Sequence, residues 1–430
     1  MSRRIHNKCK ETAACIWRAP AREAPMKHLL KAGVAALALI TCVAAAQAET
    51  IRIGVLTDMA GPLSDAQGPG SVEATRMAVE DFGGKLLGEK VEVIGADHQN
   101  KADIGAAIAR DWYDTRNVQM IMDLGSSAVA IAVQNIAKDK NRLSVATGAA
   151  SSELTNKHCN TNAIQWGYDT YQFAKGITGP VVKAGGDKWF FISADYAFGH
   201  ALENDTRKNV EAMGGKVLGS VRHPINNLDF SSFLMQAKNS GANVIAIASA
   251  IADQQNALKQ GQEFGIFDDK TKAAAMALLL SDVHSVGLKA AQNTTVSSIF
   301  YWDADDESRA FSERYAKKMG RPPSEAQAMN YSGTLAWLRA AEAAKSVDTD
   351  KVLAQLRSGP IKAPFIKNGE LRADGKLVRD IWLMKVKAPE ASKKPWDYME
   401  ITGTIAGKDA FRPASESECK LLKGQQRQPQ

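Results

Sequence analysis

Short apolar strands and amphipathic helices alternate in this sequence from residue 50 to residue 300, and this alternation limits the folds that are open to the chain. Residues 50–56 and 90–96 are rich in β-branched and apolar side chains, and each segment is followed by apolar residues at helical spacing. Strand–helix repeats build parallel sheets whose two faces are covered by helices. The sequence therefore predicts an α/β fold.

The alternation occurs in two runs, which predict two doubly wound, Rossmann-like lobes. The predicted strands of the two runs are residues 50–56, 90–96, 118–123 and 143–146, and then 188–193, 216–221, 243–248, 273–278 and 295–300. The predicted division is a first lobe of residues 49–168 and 301–360, a second lobe of residues 169–300 and 361–400, and a C-terminal tail of residues 401–430.

The chain passes between the predicted lobes three times, near Tyr168, near Phe300 and near Gly359. Three such connections form a hinge. Ligands of open α/β sheets bind beyond the carboxyl ends of the parallel strands, so two facing lobes create a cleft for a small molecule. We therefore place the candidate site between the lobes.

Residues 1–48 have the pattern of a targeting leader rather than of a folded domain. Basic residues precede an apolar run at residues 32–43, and small residues then stand before a cleavage point at Glu49. We predict a cleaved signal peptide at residues 26–48, and a misassigned start codon accounts for residues 1–25. The mature chain is expected in the periplasm.

The apolar run of the leader is too short for a good membrane span. Cys42 leaves lipid anchoring as a less favoured alternative, because the three residues before it fit the lipoprotein cleavage pattern only in part. The interpretation as a cleavable signal peptide is preferred.

Removal of the leader changes the charge of the protein. The chain contains 54 Lys and Arg and 47 Asp and Glu residues, of which residues 1–48 hold eight and two. The remaining 46 basic and 45 acidic residues give a net charge of +1 in place of +7. A nearly neutral chain without a basic tract argues against nucleic acid and anionic membrane surfaces as partners.

Leader cleavage leaves two cysteines, Cys159 and Cys419. An even number of cysteines in an oxidising compartment favours a disulfide. We predict one disulfide between them, which ties the C-terminal tail to the loop after the second Ser-rich turn. Two unpaired thiols are the alternative.

Two turns rich in small residues and serine follow the third and fourth predicted strands. The turns consist of Gly125, Ser126 and Ser127, and of Gly148, Ala149, Ala150, Ser151 and Ser152. Small residues let a ligand approach the backbone, and exposed N–H and hydroxyl groups attract a carboxylate or another small anion. Neither turn contains a nucleophile with its base, so both are interpreted as binding elements.

Motifs of the common enzyme classes are absent from the sequence. It has no G-x-S-x-G, no P-loop and no H-E-x-x-H motif. The five histidines after residue 48 lack the spacing that binds zinc. The acidic run at residues 303–306 precedes a predicted helix, so an N-terminal cap is a better interpretation than a calcium site. We expect no catalytic site, metal or cofactor.

Together with the signal peptide, the order of elements resembles the type I periplasmic solute-binding proteins of ABC transporters, in the branched-chain amino acid (leucine-binding) family. The matching motifs are Ile53-Gly54-Val55, Ala60-Gly61-Pro62-Leu63, Gly125-Ser126-Ser127, the segment 149–155, Asp195-Tyr196-Ala197-Phe198-Gly199 and Asn368-Gly369-Glu370-Leu371. Their order and spacing, over nearly all of residues 49–420, carry the resemblance. It implies a type I fold, a monomer and inner-membrane ABC permease subunits as partners.

The resemblance also implies which residues bind the ligand. Two Ser-rich turns hold the ligand's carboxylate in this family, and the corresponding residues here are Ser126, Ser127, Gly148, Ala149, Ala150 and Ser151. Tyr196 matches the family's Asp-Tyr-x-x-Gly turn and closes over the ligand from the second lobe, where Phe198 offers an aromatic surface. Gln67 lines the side of the cleft that sets specificity.

The sequence departs from the family's amino acid binders where those hold the ammonium group. They use an acidic residue in a Gly-Pro-Glu-Gly-like turn, which is missing from residues 278–284, and Asp282 is the candidate substitute in a shifted frame. The sequence also resembles a subgroup that binds aromatic acids such as benzoate or cinnamate derivatives, which lack an ammonium group. Further candidates for stacking, for which core or hinge packing is the alternative, are Trp166, Tyr168, Tyr301 and Trp302.

The sequence therefore favours a periplasmic solute-binding protein that captures a small carboxylate, preferably an aromatic acid, by closing two lobes over it. Two alternatives stay open. One is a branched-chain or other amino acid binding protein of the same transporter class. The other is a ligand-sensing module, which shares this fold but normally continues into a membrane span.

Overall fold

The computed structural model describes residues 50–423. The predicted signal peptide at residues 26–48, with Cys42 inside it, and the segment 1–25 lie outside the described residues. Within the part that is described, no helix is long and apolar enough to cross a membrane. The chain has the mixed α/β fold that the alternation predicts.

The first sheet has six strands in the order β2-β3-β1-β4-β5-β6, and all of them except β2 run parallel. Its strands are β1 (Ile51–Thr57), β2 (Lys85–Leu86), β3 (Glu89–Asp97), β4 (Val118–Asp123), β5 (Leu143–Ala146) and β6 (Ala163–Gln165). The helices that follow β1, β3 and β4 are α1 (Gly68–Phe82), α2 (Ala102–Thr115) and α3 (Ser127–Asp139). All of β4 is buried, as expected for a central strand with helices on both faces.

The second sheet has four parallel strands in the order β10-β9-β7-β8. Its strands are β7 (Lys188–Ala194), β8 (Lys216–His223), β9 (Val244–Ala248) and β10 (Lys272–Ala275). The helices of this part are α4 (Thr170–Lys183), α5 (Ala197–Ala212), α6 (Ser231–Asn239), α7 (Ile251–Glu263), α8 (Leu280–Val286) and α9 (Leu288–Ala291). This second strand–helix alternation makes the fold doubly wound on two separate sheets.

The rest of the chain adds small antiparallel pairings and a helical layer. A three-stranded sheet has the order β11-β14-β15, and β12 pairs with β13. These strands are β11 (Thr295–Ser298), β12 (Glu370–Leu371), β13 (Leu377–Val378), β14 (Ile381–Val386) and β15 (Met399–Ile405). The remaining helices are α10 (Asp306–Met319), α11 (Glu325–Ala344), α12 (Thr349–Leu356), α13 (Gly407–Ala410) and α14 (Lys420–Lys423).

Helices α10 and α11 return to the first sheet. Helix α11 packs against α1, and Asp81 of α1 accepts hydrogen bonds from Arg314 of α10 (2.7 Å) and from Tyr331 of α11 (2.6 Å). Helix α10 begins where the acidic run ends, because Asp305 accepts the N–H of Ser308 at 2.9 Å. The cap interpretation of that run is confirmed.

Most predicted strand boundaries agree with the structure to within two residues. The prediction lacks β2 and β6, and it is wrong to count residues 295–300 with the second parallel run, because β11 pairs antiparallel with β14. Two further parts of the chain differ. The predicted strand 273–278 ends at Ala275, because the chain turns into α8, where Asp282 accepts the N–H of Leu279 at 2.9 Å. Strand β15 crosses the predicted start of the tail at residue 401. Its mostly exposed residues carry little of the apolar alternation that predicts a strand.

The lobe boundaries stay a prediction, and the contacts of residues 361–379 favour one change to them. Ser332 of α11 donates to the Pro364 carbonyl at 2.7 Å, and Lys376 forms a parallel bridge with Gln165 at the edge of the first sheet. These contacts favour counting the segment with the first lobe rather than with the second.

The predicted disulfide is present. The Cα atoms of Cys159 and Cys419 are 5.8 Å apart, which is normal for a disulfide. Two hydrogen bonds reinforce the connection, because Asn156 Oδ1 accepts from the hydroxyl of Ser417 (3.3 Å) and from the N–H of Glu418 (2.7 Å). The end of the described chain is therefore fixed beside the loop that follows the second Ser-rich turn.

Replacing both cysteines by serine should lower the free energy of unfolding, by at most about 5 kcal/mol if the loss is entropic. The disulfide closes a loop of 260 residues, so the unfolded chain gains much freedom when the bond is absent. Urea unfolding of the oxidised wild type and of the double variant measures the loss. Intact-mass analysis after alkylation without reductant is the control, and two alkylated thiols in the wild type would contradict the disulfide.

Candidate functional site

A cavity lies where the carboxyl ends of first-sheet strands face those of second-sheet strands. It is lined by Leu63, Gln67, Gly125, Ser127, Gly148, Ala150, Tyr168, Phe173, Tyr196, Phe198, Ala250, Ile251, Ala277 and Leu279. It contains about 400 Å³ of space that atoms do not occupy, and part of this space is open to solvent. None of these lining residues is charged.

The cavity brings together six of the ten predicted ligand residues, which are Gln67, Ser127, Gly148, Ala150, Tyr196 and Phe198. Ser126, Ala149 and Ser151 belong to the same turns without lining the cavity, and Asp282 lies within α8. For all ten residues, contact with a ligand stays a prediction.

The first Ser-rich turn presents the N-terminus of α3 to the cavity. Ser127 Oγ accepts the N–H of Ser151 at 3.1 Å, so its own proton is free to be donated to a ligand. The side chain of Ser126 does not cap the helix, and its buried hydroxyl has no hydrogen-bond partner among the described residues. The helix N-terminus therefore keeps N–H groups available for an anion.

In the second Ser-rich turn, the carbonyl groups are occupied by hydrogen bonds and two N–H groups are free of partners in the described part of the chain. Gln165 Nε2 donates to the carbonyls of Ala149 (3.2 Å) and Ser151 (3.1 Å), and Thr170 donates its N–H to the Ala150 carbonyl at 2.8 Å. Within residues 50–423, the N–H groups of Ala149 and Ala150 have no acceptor. Ser127 and Ala150 both line the cavity, so each turn supplies a lining residue with a free hydrogen-bond donor.

Two glycines are required by the position of Gln67. Its Nε2 donates to the carbonyls of Gly125 and Gly148, at 3.4 Å each. A Cβ atom at Gly125 would overlap Gln67 Oε1, and one at Gly148 would lie 2.7 Å from both Gln67 Cδ and Asp123 Oδ1. The Gln67 amide therefore fits across the ends of β4 and β5 only because both positions lack a side chain.

Aromatic rings form much of the opposite wall. The rings of Tyr196 and Phe198 are 5.8 Å apart and tilted, at the turn between β7 and α5. A Cβ atom at Gly199 would overlap the Ala194 carbonyl, which explains the glycine of this motif. Tyr168 and Phe173 face the cavity from the crossing segment, with ring centroids 5.2 Å apart.

The other aromatic candidates pack elsewhere. Trp166 Nε1 donates to Ser332 Oγ at 3.4 Å, and Trp302 Nε1 donates to the Trp396 carbonyl at 2.9 Å. Tyr301 also contacts Trp396, and none of the three lines the cavity. Core packing explains them, whereas Tyr168 is a lining residue.

Sequence reasoning missed the lining residues that follow β9. Ile251 begins α7 with a φ of +47°, a left-handed value that β-branched residues rarely adopt, so no sequence signal points to it. Its neighbours are held by hydrogen bonds between Ser249 Oγ and His223 Nε2 (2.5 Å) and from the N–H of Asn227 to Asp253 (2.8 Å). Residues at and after the end of β8 thus hold the strained turn in place.

Asp282 is directed away from the cavity by its own hydrogen bonds. Its carboxylate accepts from the N–H of Leu279 (2.9 Å) and from Gln255 Nε2 (2.7 Å), and burial raises its pKa to about 6. Leu279 occupies the corresponding part of the cavity wall. Asp282 therefore stabilises the start of α8, and its role as an ammonium partner is not supported by these contacts.

Two more buried acids lie near Tyr168. Burial raises the pKa of Asp123 to about 6 and that of Glu325 to about 7. Glu325 Oε1 accepts from Ser298 Oγ at 3.0 Å, whereas its Oε2 has no partner among the described residues. Neither acid forms a salt bridge within the described part of the chain. Their ionisation is therefore unfavourable in the folded state.

Replacing Glu325 by glutamine should stabilise the protein at pH 8. The pKa of Glu325 rises from 4.5 to about 7 on folding, so its favourable contribution, complete below pH 4.5, is lost as the pH rises through 7. A neutral amide avoids this loss, which amounts to about 3 kcal/mol at most. Urea unfolding at pH 5 and pH 8 tests the expectation, with Glu313→Gln on the exposed face of α10 as the control. An equal difference between variant and wild type at both pH values would contradict it.

No group of three or more His, Cys, Asp or Glu side chains within residues 50–423 is arranged to hold a metal ion. The site consists of neutral hydrogen-bond donors at one end and aromatic and aliphatic surfaces around the rest. Such a site has the means to bind and orient a small molecule.

Comparison with known proteins identifies relatives over almost the whole described chain. A family profile described as periplasmic binding protein matches residues 50–394. The crystal structure of a periplasmic binding protein from Burkholderia mallei is 44% identical in sequence, with a TM-score of 0.85, and the match covers 87% of this chain and 99% of that one.

Two further structures share the fold. A branched chain amino acid ABC transporter periplasmic ligand-binding protein from Burkholderia xenovorans LB400 is 39% identical, with a TM-score of 0.78 over 86% of this chain and 100% of its own. A solute binding protein of an ABC transporter from Rhodopseudomonas palustris BisB5, in complex with 3,4-dihydroxy benzoic acid, is 19% identical, with a TM-score of 0.76 over the same fractions. At that identity the last comparison shows the fold alone.

Proposed function

The chain belongs to the periplasmic binding protein family, and on that premise we propose that it captures a small aromatic carboxylate for an ABC importer. The observation that carries this proposal is the composition of the cavity wall. Neutral donors converge at one end, and four aromatic rings line the remainder without a charged side chain among them.

The converging donors suit a carboxylate. They are the Ser127 hydroxyl, the N-terminus of α3 and the free N–H group of Ala150. Hydrogen bonds from such groups to a charged acceptor contribute about 1.5–3 kcal/mol each. Neutral donors also leave the cavity without a permanent positive charge when it is empty.

The rest of the wall favours an aromatic body over an amino acid. An α-ammonium group needs an acidic or strongly polar partner when it is removed from water. No lining side chain is acidic, and the carboxylate of Asp282 is taken by Leu279 and Gln255. Rings of Tyr168, Phe173 and Tyr196 offer stacking and edge contacts to a ligand ring.

Binding of a branched-chain amino acid is the second candidate. It is favoured by the three buried acids around Tyr168, whose negative charge would attract an ammonium group if they ionised. The Burkholderia xenovorans relative is described as a branched chain amino acid transporter protein. Both candidate functions place the ligand in the same cavity and differ only in which ligand is bound.

Capture by closure follows from the origin of the lining residues. Gln67 and Ser127 come from first-sheet turns, and Tyr196 and Ile251 come from second-sheet turns, so a ligand held by all of them is enclosed by both. Rotation about the crossing segments would open the cavity. We propose that the closed monomer is the form that the inner-membrane permease recognises in the periplasm.

The side chains that line the cavity are suited to binding a ligand without changing it chemically. The lining residues include no histidine, cysteine or lysine. Ser249 and His223 form a hydrogen-bonded pair nearby, but both are fully buried and neither lines the cavity. The protein is therefore proposed as a carrier rather than an enzyme.

Ser127→Ala should weaken binding of an aromatic acid by about tenfold, because one hydrogen bond to the carboxylate is lost. Titration calorimetry of both proteins with benzoate measures the change. Ser144→Ala is the matched control, since Ser144 is buried in β5 and does not line the cavity. Equal losses in the two variants would show that the carboxylate end is placed wrongly.

A thermal-shift screen should separate the two ligand classes. Benzoate and hydroxybenzoates should raise the melting temperature by several degrees at concentrations far above Kd, whereas leucine, isoleucine and valine should leave it unchanged. Stabilisation by the amino acids alone would reverse the ligand preference.

A further inference from the structure

We propose that residues 411–419 clamp the first-sheet and second-sheet parts of the protein together through Arg412, and that this clamp sets the affinity for the ligand. The inference rests on the proposed function for its ligand, and on the contacts of Arg412 for its mechanism. Arg412 is a positioning residue, because it does not line the cavity.

The guanidinium group bridges the two parts directly. Arg412 Nη2 donates to Asp205 Oδ1 of α5 at 2.8 Å and to Ser152 Oγ, in the second Ser-rich turn, at 3.0 Å. The exposed fractions of Arg412, Asp205 and Ser152 are 8%, 1% and 3%. The bridge is therefore out of water, so removal of Arg412 would leave the Asp205 carboxylate buried without its counter-charge, which is strongly unfavourable.

The other partners of Asp205 place this bridge beside the chain crossing. Asp205 Oδ2 accepts from Ser152 Oγ (2.7 Å) and from Thr170 Oγ1 (2.6 Å), and Thr170 begins α4, just after the chain leaves the first sheet. Arg412 is the cation that balances this buried carboxylate. Without Arg412, the carboxylate keeps two hydroxyl donors and no opposite charge.

Several contacts fix Arg412 itself. Its backbone carbonyl accepts from Arg372 Nη1 at 2.6 Å, and its guanidinium lies over the ring of Tyr171 at 5.1 Å. The disulfide between Cys159 and Cys419 holds the end of the segment on the first-sheet side. Because the segment is held in this way, Arg412 has a fixed position relative to Asp205 and Ser152.

Both ends of the bridge continue into the cavity wall. Ser152 follows Ser151, whose N–H is bonded to the lining residue Ser127. Asp205 belongs to α5, and the first turn of that helix carries the lining residue Phe198. The clamp therefore joins the donor end of the cavity to its aromatic wall, and its loss should let the two separate.

The test compares Arg412→Met with wild type in two measurements. Titration calorimetry with benzoate should show affinity lowered by about tenfold or more, within the usual range of coupling between distant sites. Small-angle X-ray scattering of the ligand-free proteins should show a larger radius of gyration for the variant. Arg412→Lys, which keeps the charge, should recover much of both properties.

Arg314→Met is the matched control. It removes an arginine that is hydrogen-bonded to Asp81 on the first-sheet side alone, and it should change neither measurement. If Arg412→Met does not fold, the double variant Arg412→Met with Asp205→Asn replaces it, because no uncompensated charge then stays buried. That variant should also bind more weakly and scatter as a more open particle.

The outcomes separate the clamp from the proposed ligand. Unchanged affinity and unchanged radius of gyration in the Arg412 variants would overturn the clamp. If wild type binds no benzoate, the aromatic ligand is wrong, and the scattering comparison still decides on the clamp. A wider particle without Arg412 supports it, and an identical particle refutes it.

Discussion

A buried ion pair between Lys376 and Asp169 holds together the place where the chain passes from one sheet to the other. Lys376 Nζ lies 2.9 Å from Asp169 Oδ2, and the two side chains are 1% and 3% exposed. The ammonium group also donates to the Gly167 carbonyl at 3.0 Å and lies over the ring of Phe411. Removing one partner of such a pair costs about 3–5 kcal/mol, because the other charge stays buried. The crossing, the start of α4 and the C-terminal segment therefore meet at this contact.

The ion pair between Lys376 and Asp169 also helps to position the cavity wall. Asp169 caps α4 by accepting the N–H of Gln172 at 2.8 Å, and the residues on either side of it, Tyr168 and Thr170, serve the cavity wall and the Asp205 bridge. The walls that a ligand contacts between the two sheets are therefore positioned by the same short segment around Asp169. The charged contacts beside the cavity thus hold the shape of a site whose own lining residues are uncharged.

The sequence predicts the elements that depend on local pattern. Strands β4 and β5 have the predicted bounds, because each is a short run with strand-forming residues. Residue type alone indicates the two Ser-rich turns, and the even number of cysteines predicts the disulfide. Contacts between distant segments were not predictable in this way. Nothing local marks Phe173 as a lining residue or Ile251 as left-handed, since both roles depend on segments that are brought close in the folded protein.

The covalent link between Cys159 and Cys419 has a consequence for the order in which this protein is assembled. The bond spans 260 positions, so it forms only after every residue between the two cysteines has been synthesised. The loop beside the second Ser-rich turn is made early, but its cysteine is paired only when the end of the chain is present. Until the end of the chain is made, this loop lacks its disulfide partner and the hydrogen bonds of Asn156 to Ser417 and Glu418.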